Sequence, residues 1–255
     1  MPASYAHYRF GKLLLPTLPT DVRQCIQRFR RMFDTGLQGP DIFFYYNIFG
    51  KSAIGDLGKQ FHRQSGQELF TRVCAQADSE AARAYLYGLL AHYCLDSQIH
   101  PFVNRMVSIG EANHVALESE FERVLLVKDG VASPETYDRS KHIRLTRGEC
   151  MTVSGFYPPA TGANISRCIK GTDLSLRFLS SANRERTEKL IARFSPSHLL
   201  QLVPTEEVPD NAYMIGEMLE LYTQALARYP LLLQQLQQHR KDGTPLSDAF
   251  APDFG

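Results

Sequence analysis

The chain has 255 residues, with 28 Lys and Arg against 27 Asp and Glu, a formal charge of +1. That length suffices for one sizeable core, and the charge balance excludes a global field drawing the molecule to nucleic acid or anionic lipid. Five scattered cysteines without a C-x-x-C exclude a disulfide framework and a zinc ribbon, and with no export signal or spanning apolar run the expectation is a soluble, cytoplasmic protein.

Gly11, Pro16 and Pro19 argue against a long helix before Thr20, and His7, so near the N terminus, is by default exposed and mobile. Asp21 can cap a helix through Phe33, with Val22, Cys25, Ile26 and Phe29 at helical spacing. Gly39 and Pro40 then break the chain just before Asp41 and the apolar run from Ile42 to Tyr46. Asp41 there either caps the next turn or carries chemistry. A helix is expected over 56–77, with Leu57, Phe61, Leu69, Phe70 and Val73 as its apolar positions and His62 beside them.

Residues 84–118 organise the chain. Ser79 caps a helix that holds His92 and Asp96, and a following helix holds His114 and Glu118. Both pairs are spaced i,i+4, which stacks the two side chains on one helix face about 5–6 Å apart at Cβ, close enough to share a cation. Leu86, Leu89, Leu90, Leu95 and Ile99 make the first helix apolar around its ligand stripe, and Gly88 and Ala84 extend the stripe with almost no side chain, leaving room for an ion. Pro101 predicts an end or kink just after His100, freeing that histidine for a second ion. A lone His/Asp pair is ordinarily a hydrogen-bonded or solvated ion pair, but two pairs and His100 within one short stretch point to metal. Glu120 and Glu122 fall on other faces of the second helix and are expected to be solvated.

Beyond Lys128 the signals weaken. Residues 129–162 are polar, basic in the middle and closed by Pro158 and Pro159, which predicts short helical pieces and loops over a cleft mouth; His142 among them has no acidic partner at helical spacing and stays outside the site. Helices are expected over 163–181, 183–194 and 197–203, with Asp210 opening a last long helix that bends at Pro230. The expected architecture is all-α and a single domain over 1–255, with a metal-ligand half at 1–125 and supporting helices at 126–255.

His7, Asp41, His62, His92, Asp96, His100, His114 and Glu118 follow, in order, the ligand pattern of the zinc-dependent phospholipase C family, whose helical fold is related to that of the single-strand-specific zinc nucleases. The fourteen-residue step from His100 to His114 is part of the resemblance. It implies that Asp41, His62, His92 and Asp96 hold one zinc and that His100, His114 and Glu118 hold a second. Asp96 would reach toward a third with His7 and the chain's own amino terminus. The implied activity is hydrolysis of a phospholipid phosphodiester, with Asp41 orienting or deprotonating the attacking water. Eight ligands exceed what one tetrahedral zinc can use, so two to three ions are expected. Ile42 and Lys59 stand where choline-cleaving relatives have aromatics, which points away from choline and, through Lys59, toward an anionic head group. The alternatives are a nuclease or small-phosphoester hydrolase on the same site and a non-catalytic metal-binding protein; without a basic stripe, nucleic acid is not the expected substrate.

Overall fold

The computed structural model describes residues 4–47, 50, 52–180 and 212–255, and the elements described are helical with no strand among them. In order these are α1 Ser4–Leu14, α2 Thr20–Arg28, α3 Arg30–Gly36, α4 Ala53–His62, α5 Gly66–Cys74, α6 Glu80–Ser108, α7 His114–Lys128, α8 Arg147–Ser154, α9 Gly162–Leu179 and α10 Ala212–Asp242. The helices expected over 183–194 and 197–203, and Asp210, lie outside the described residues.

The core is built around α6. Ser79 starts it by accepting from the Ala82 amide at 3.1 Å, and it runs 29 residues, buried on every side through most of its length. A helix apolar all round is stable in water only when other helices cover it. Here α3 and α10 pack along it, with α1, α2, α5, α7 and α8 closing the remaining faces. Pro101 does not end the helix as expected. It sits exposed on the outer surface, while Ile99, His100, Phe102 and Val103 on the flanking turns are buried and hold the helical path.

Several local expectations give way to tertiary packing. Residues 4–14 form an 11-residue helix, and Gly11 belongs in it because a Cβ there would collide with Leu37. Phe29, with φ −118° and ψ 46°, divides the expected 21–33 helix into α2 and α3, and the α2 N-cap is Pro19 rather than Asp21. Ser65 starts α5 by accepting from the Glu68 amide, so 56–77 holds two helices rather than one. The expected last long helix is α10, with Pro230 inside it.

The space beside Gly88 is not left for an ion. A Cβ on Gly88 would run into the Phe33 carbonyl and the Gly36 backbone, and one on Gly36 into the Tyr85 carbonyl, so the glycines let α3 and α6 meet backbone to backbone. Gly88→Ala must therefore separate two core helices, and the expected cost is about 3 kcal/mol. Urea unfolding measures it, and a variant within about 0.5 kcal/mol of the parent would disprove this account of the crossing.

Candidate metal centre

All eight sequence-predicted residues come together at one place against α6. His92, Asp96 and His100 form a continuous i,i+4 stripe on α6 itself, so His100 stays on the Asp96 face rather than leaving it. α1 brings His7, the 3-10 turn Gly39–Tyr45 brings Asp41, the end of α4 brings His62, and the first turns of α7 bring His114 and Glu118. His7 is buried rather than exposed, as are Asp41, His92, Asp96, His100 and Glu118.

Asp96 is the hub. Its Oδ1 lies 3.2 Å from His7 Nε2 and 3.9 Å from His100 Nε2, and its Oδ2 lies 3.1 Å from His92 Nε2 and 3.9 Å from His62 Nε2. On one side of it, His62 Nε2 is 3.0 Å from Asp41 Oδ1. On the other, Glu118 Oε1 is 3.0 Å from His100 Nε2 and 3.2 Å from His114 Nε2. His62, His92 and Asp96 form one group whose donor atoms lie within 4.8 Å of one another, and His100, His114 and Glu118 form another. A third, His7, Asp41 and His92, puts Asp41 and His92 within reach of His7 as well, a sharing that the family pattern does not express.

Three main-chain carbonyls fix the imidazoles. Nδ1 of His62 lies 2.6 Å from Gly58 O, Nδ1 of His92 3.1 Å from Leu37 O, and Nδ1 of His100 2.7 Å from Phe254 O. A ring donating Nδ1–H in this way turns Nε2 to the centre, the arrangement that metal-ligating histidines require. Gly39, with φ 48°, lies close enough that any Cβ there would strike the His92 ring.

The electrostatics test whether a cation fits. Burial holds His92 below its ordinary pKa, against the pull of Asp96, and Leu37 O is the acceptor for Nδ1, which leaves Nε2 free to act as a ligand. Nε2 lies 3.1 Å from Asp96 Oδ2, and these two buried atoms have no other hydrogen-bond partner. Either a proton on Nε2 or a metal ion beside the two atoms satisfies them both. Donors on a tetrahedral zinc are about 3.3 Å apart, close to the spacings of 3.0 to 3.2 Å found here. Burial alone raises a carboxylate, yet Asp96 is held well below the usual range by His92, His100 and His7, and Glu118 by positive charge that includes His100 and His114. Asp41 is lowered likewise, with His62 and His92 among its partners. The donor set fits divalent cations, and a cavity of about 20 Å³ beside Asp96, His100 and Glu118 has room for one water.

Two acids expected to be solvated are buried. Glu120 is held by Arg123 at 2.7 Å. Glu122 pairs with Arg139 at 3.2 Å and accepts from the Tyr5 and Ala6 amides, the otherwise orphaned donors at the start of α1. Glu122 thereby anchors the helix that carries His7. Glu122→Ala leaves Arg139 and those amides without their partner, and a loss of about 3 kcal/mol is expected. Chemical denaturation reads it, and an unchanged midpoint would contradict the anchoring role.

Within 129–162, Tyr137 and His142 pack on α1. Tyr137 meets Tyr5 edge-on, and His142 stacks on Tyr8 at 4.2 Å with Nε2 3.3 Å from Gln38 Nε2. Burial and the nearby Arg30 push His142 down to about 3, so it is neutral, outside the groups of converging donors. Ile42 is fully buried, and Lys59 is exposed one turn before His62. Sequence reasoning missed Tyr45, whose buried hydroxyl is held neutral by desolvation and by the charges of Asp41, Glu122 and Glu118. It also missed the C-terminal residues that reach the centre, because a carbonyl acceptor such as Phe254 O leaves no mark in the pattern of side chains.

The helical core thus gathers five histidines and three carboxylates from five elements into groups that could hold a metal ion. The family model for zinc-dependent phospholipase C matches residues 6–158, well over half of the chain and a span that includes all eight residues. The chain belongs to that family. No curated protein and no solved structure matches it.

Proposed function

We propose that this chain is a zinc-dependent phosphodiesterase of phospholipase C type, working as one domain over 1–255. In this reading Asp41, His62, His92 and Asp96 hold one zinc and His100, His114 and Glu118 a second, while His7 with Asp96 offers a third position. The observation that carries it is the convergence of His92 Nε2 and Asp96 Oδ2, two buried atoms 3.1 Å apart with no other partner, at a point where three groups of donor atoms meet. When bound, zinc supplies Lewis acidity, stabilising the charge that grows on a phosphodiester under attack and making water nucleophilic at neutral pH.

The protein's own groups do the rest. Gly58 O, Leu37 O and Phe254 O keep the three Nε2 atoms aimed inward. Asp41, ionised and 3.0 Å from His62, accepts a hydrogen bond from the attacking water and takes its proton at a carboxylate oxygen. The buried side around His92 excludes bulk water, whereas the His114 side chain is 35% exposed and marks the side from which substrate approaches. Three carboxylates leave two or three divalent cations with excess positive charge, which favours an anionic phosphodiester.

No helix among the described residues is long and apolar enough to cross a membrane, so lipid would be met at a bilayer surface. Free, buried Cys25, Cys74, Cys94, Cys150 and Cys168 support a reducing, cytoplasmic setting. The test is a panel of chromogenic phosphodiester, phospholipid vesicles and single-stranded DNA, each with zinc and with chelator. Zinc-dependent release of diacylglycerol is expected. Turnover of DNA alone would replace this reading with the nuclease one, and turnover of none by zinc-loaded protein would make the metals structural.

A further inference from the structure

The last residues of the described chain return to the metal centre, far in sequence from the span that defines the family. The Gly66 amide donates to Pro252 O at 2.9 Å, and the Tyr93 hydroxyl donates to the same oxygen at 3.1 Å. The Phe254 amide then donates to His62 O at 3.0 Å, while Phe254 O lies 2.7 Å from His100 Nδ1. The Phe254 ring is fully buried, 5.3 Å from the His62 ring, 5.6 Å from His92 and 5.2 Å from Tyr93. One residue is thus bonded to a histidine from each of the two main donor groups.

From this we infer that Phe254 is a positioning residue for the metal centre: its main chain clamps His62 and His100 together and holds His100 in the tautomer that presents Nε2 to Glu118 and Asp96. The inference rests on the metal-ligand reading above. It assigns a role to residue 254, which lies outside the matched 6–158. The physical reason is the order of the bonds. His100 can offer Nε2 as a lone pair only while Nδ1 keeps the proton, and Phe254 O is the acceptor that favours that proton. The acceptor in turn is held by the Phe254 amide on His62 and by the two donors on Pro252. Loosening the strap therefore weakens metal binding without removing a ligand.

Phe254→Pro in the full-length protein removes the amide that binds His62 O and so displaces the neighbouring carbonyl. Cobalt(II) serves as probe, because its visible spectrum reports coordination geometry. The expected result is a ten- to hundredfold loss of cobalt affinity, about the range for outer partners of metal ligands, with a changed visible band. Phe250→Leu is the packing control. Phe250 lies in the same aromatic cluster, stacked on Tyr93 and edge-on to Phe70, and its substitution should lower stability while leaving cobalt affinity and spectrum unchanged. Tyr93→Phe removes the hydroxyl that donates to Pro252 O, beside Arg228 and Ser97, while keeping the ring; it should lower affinity about two- to fivefold, which keeps the test decisive if the proline variant does not fold. Parental affinity and spectrum in a folded Phe254→Pro protein, or in Tyr93→Phe where the proline variant is unfolded, overturns the clamp. An equal affinity loss in Phe250→Leu does so too. Failure of the parent protein to bind cobalt would instead remove the metal reading itself.

Discussion

Asp96→Ala is expected to abolish zinc binding and phosphodiester hydrolysis together, with a rate loss on the order of a thousandfold or more. The carboxylate lies between the two main donor groups: Oδ1 faces His7 and His100, and Oδ2 faces His92 and His62. Asp96 thus lies within 4 Å of four of the five histidines of the centre. Asp96→Asn keeps the shape but removes the charge, so it should also fail to hold zinc, which separates the electrostatic role from packing. Removing the charge from a buried cluster leaves the histidines without their common partner, and the metal-free Ala variant should lose about 3 kcal/mol of stability. Zinc content after dialysis, initial rates and urea midpoints measure the three effects. Parental zinc stoichiometry in both variants would defeat the ligand assignment.

Chelated protein is expected to lose about 3 kcal/mol of stability between pH 6.5 and 9. Burial disfavours the charged form of His100, but Asp96 and Glu118 override it and raise the group from 6.5 to about 9. A raised value means that the fold binds the proton more tightly than the unfolded chain does. The stabilisation is therefore complete below about 6.5 and is lost as pH climbs to about 9, each tenfold gain in proton affinity contributing about 1.4 kcal/mol. His62, raised by its bond to Asp41 despite burial, acts in the same sense. In acid the sign reverses. Asp96 and Glu118, held low in the fold, contribute stability that is lost as pH falls through the carboxylate range, and His92 and His142, held low by burial, resist protonation. Metal-free protein should thus be most stable near pH 6.5. Zinc binding requires neutral imidazoles, so the loss at high pH should disappear when zinc is added. Equal urea midpoints at pH 6.5 and 9 in the presence of chelator would refute the His100 account.

The places where local expectation and tertiary structure part company share a cause. The i,i+4 spacing of His92 with Asp96 and of His114 with Glu118 is visible in the chain because helical period is a local property. The order of His7, Asp41 and His62 can be aligned with a family pattern for the same reason. His7 has no local signal, since its burial depends on Glu122 from α7 gripping the first amides of α1. Gly88 suggests an empty space because sequence shows a missing side chain but not the helix backbone that fills its place. Pro101 suggests a break because its intrinsic cost is local, while the packing that overrides it is not.

By itself, the sequence determined the helical class, the buried central helix and the eight residues able to offer donors to zinc, because side-chain chemistry and helical period are written residue by residue. Only the tertiary structure decided how those donors are shared around Asp96, which acids are buried, and that Phe254 closes the centre from the far end of the chain. Those depend on contacts between segments as far apart in the chain as His62 and Phe254, and on main-chain carbonyls, which are the same in every residue.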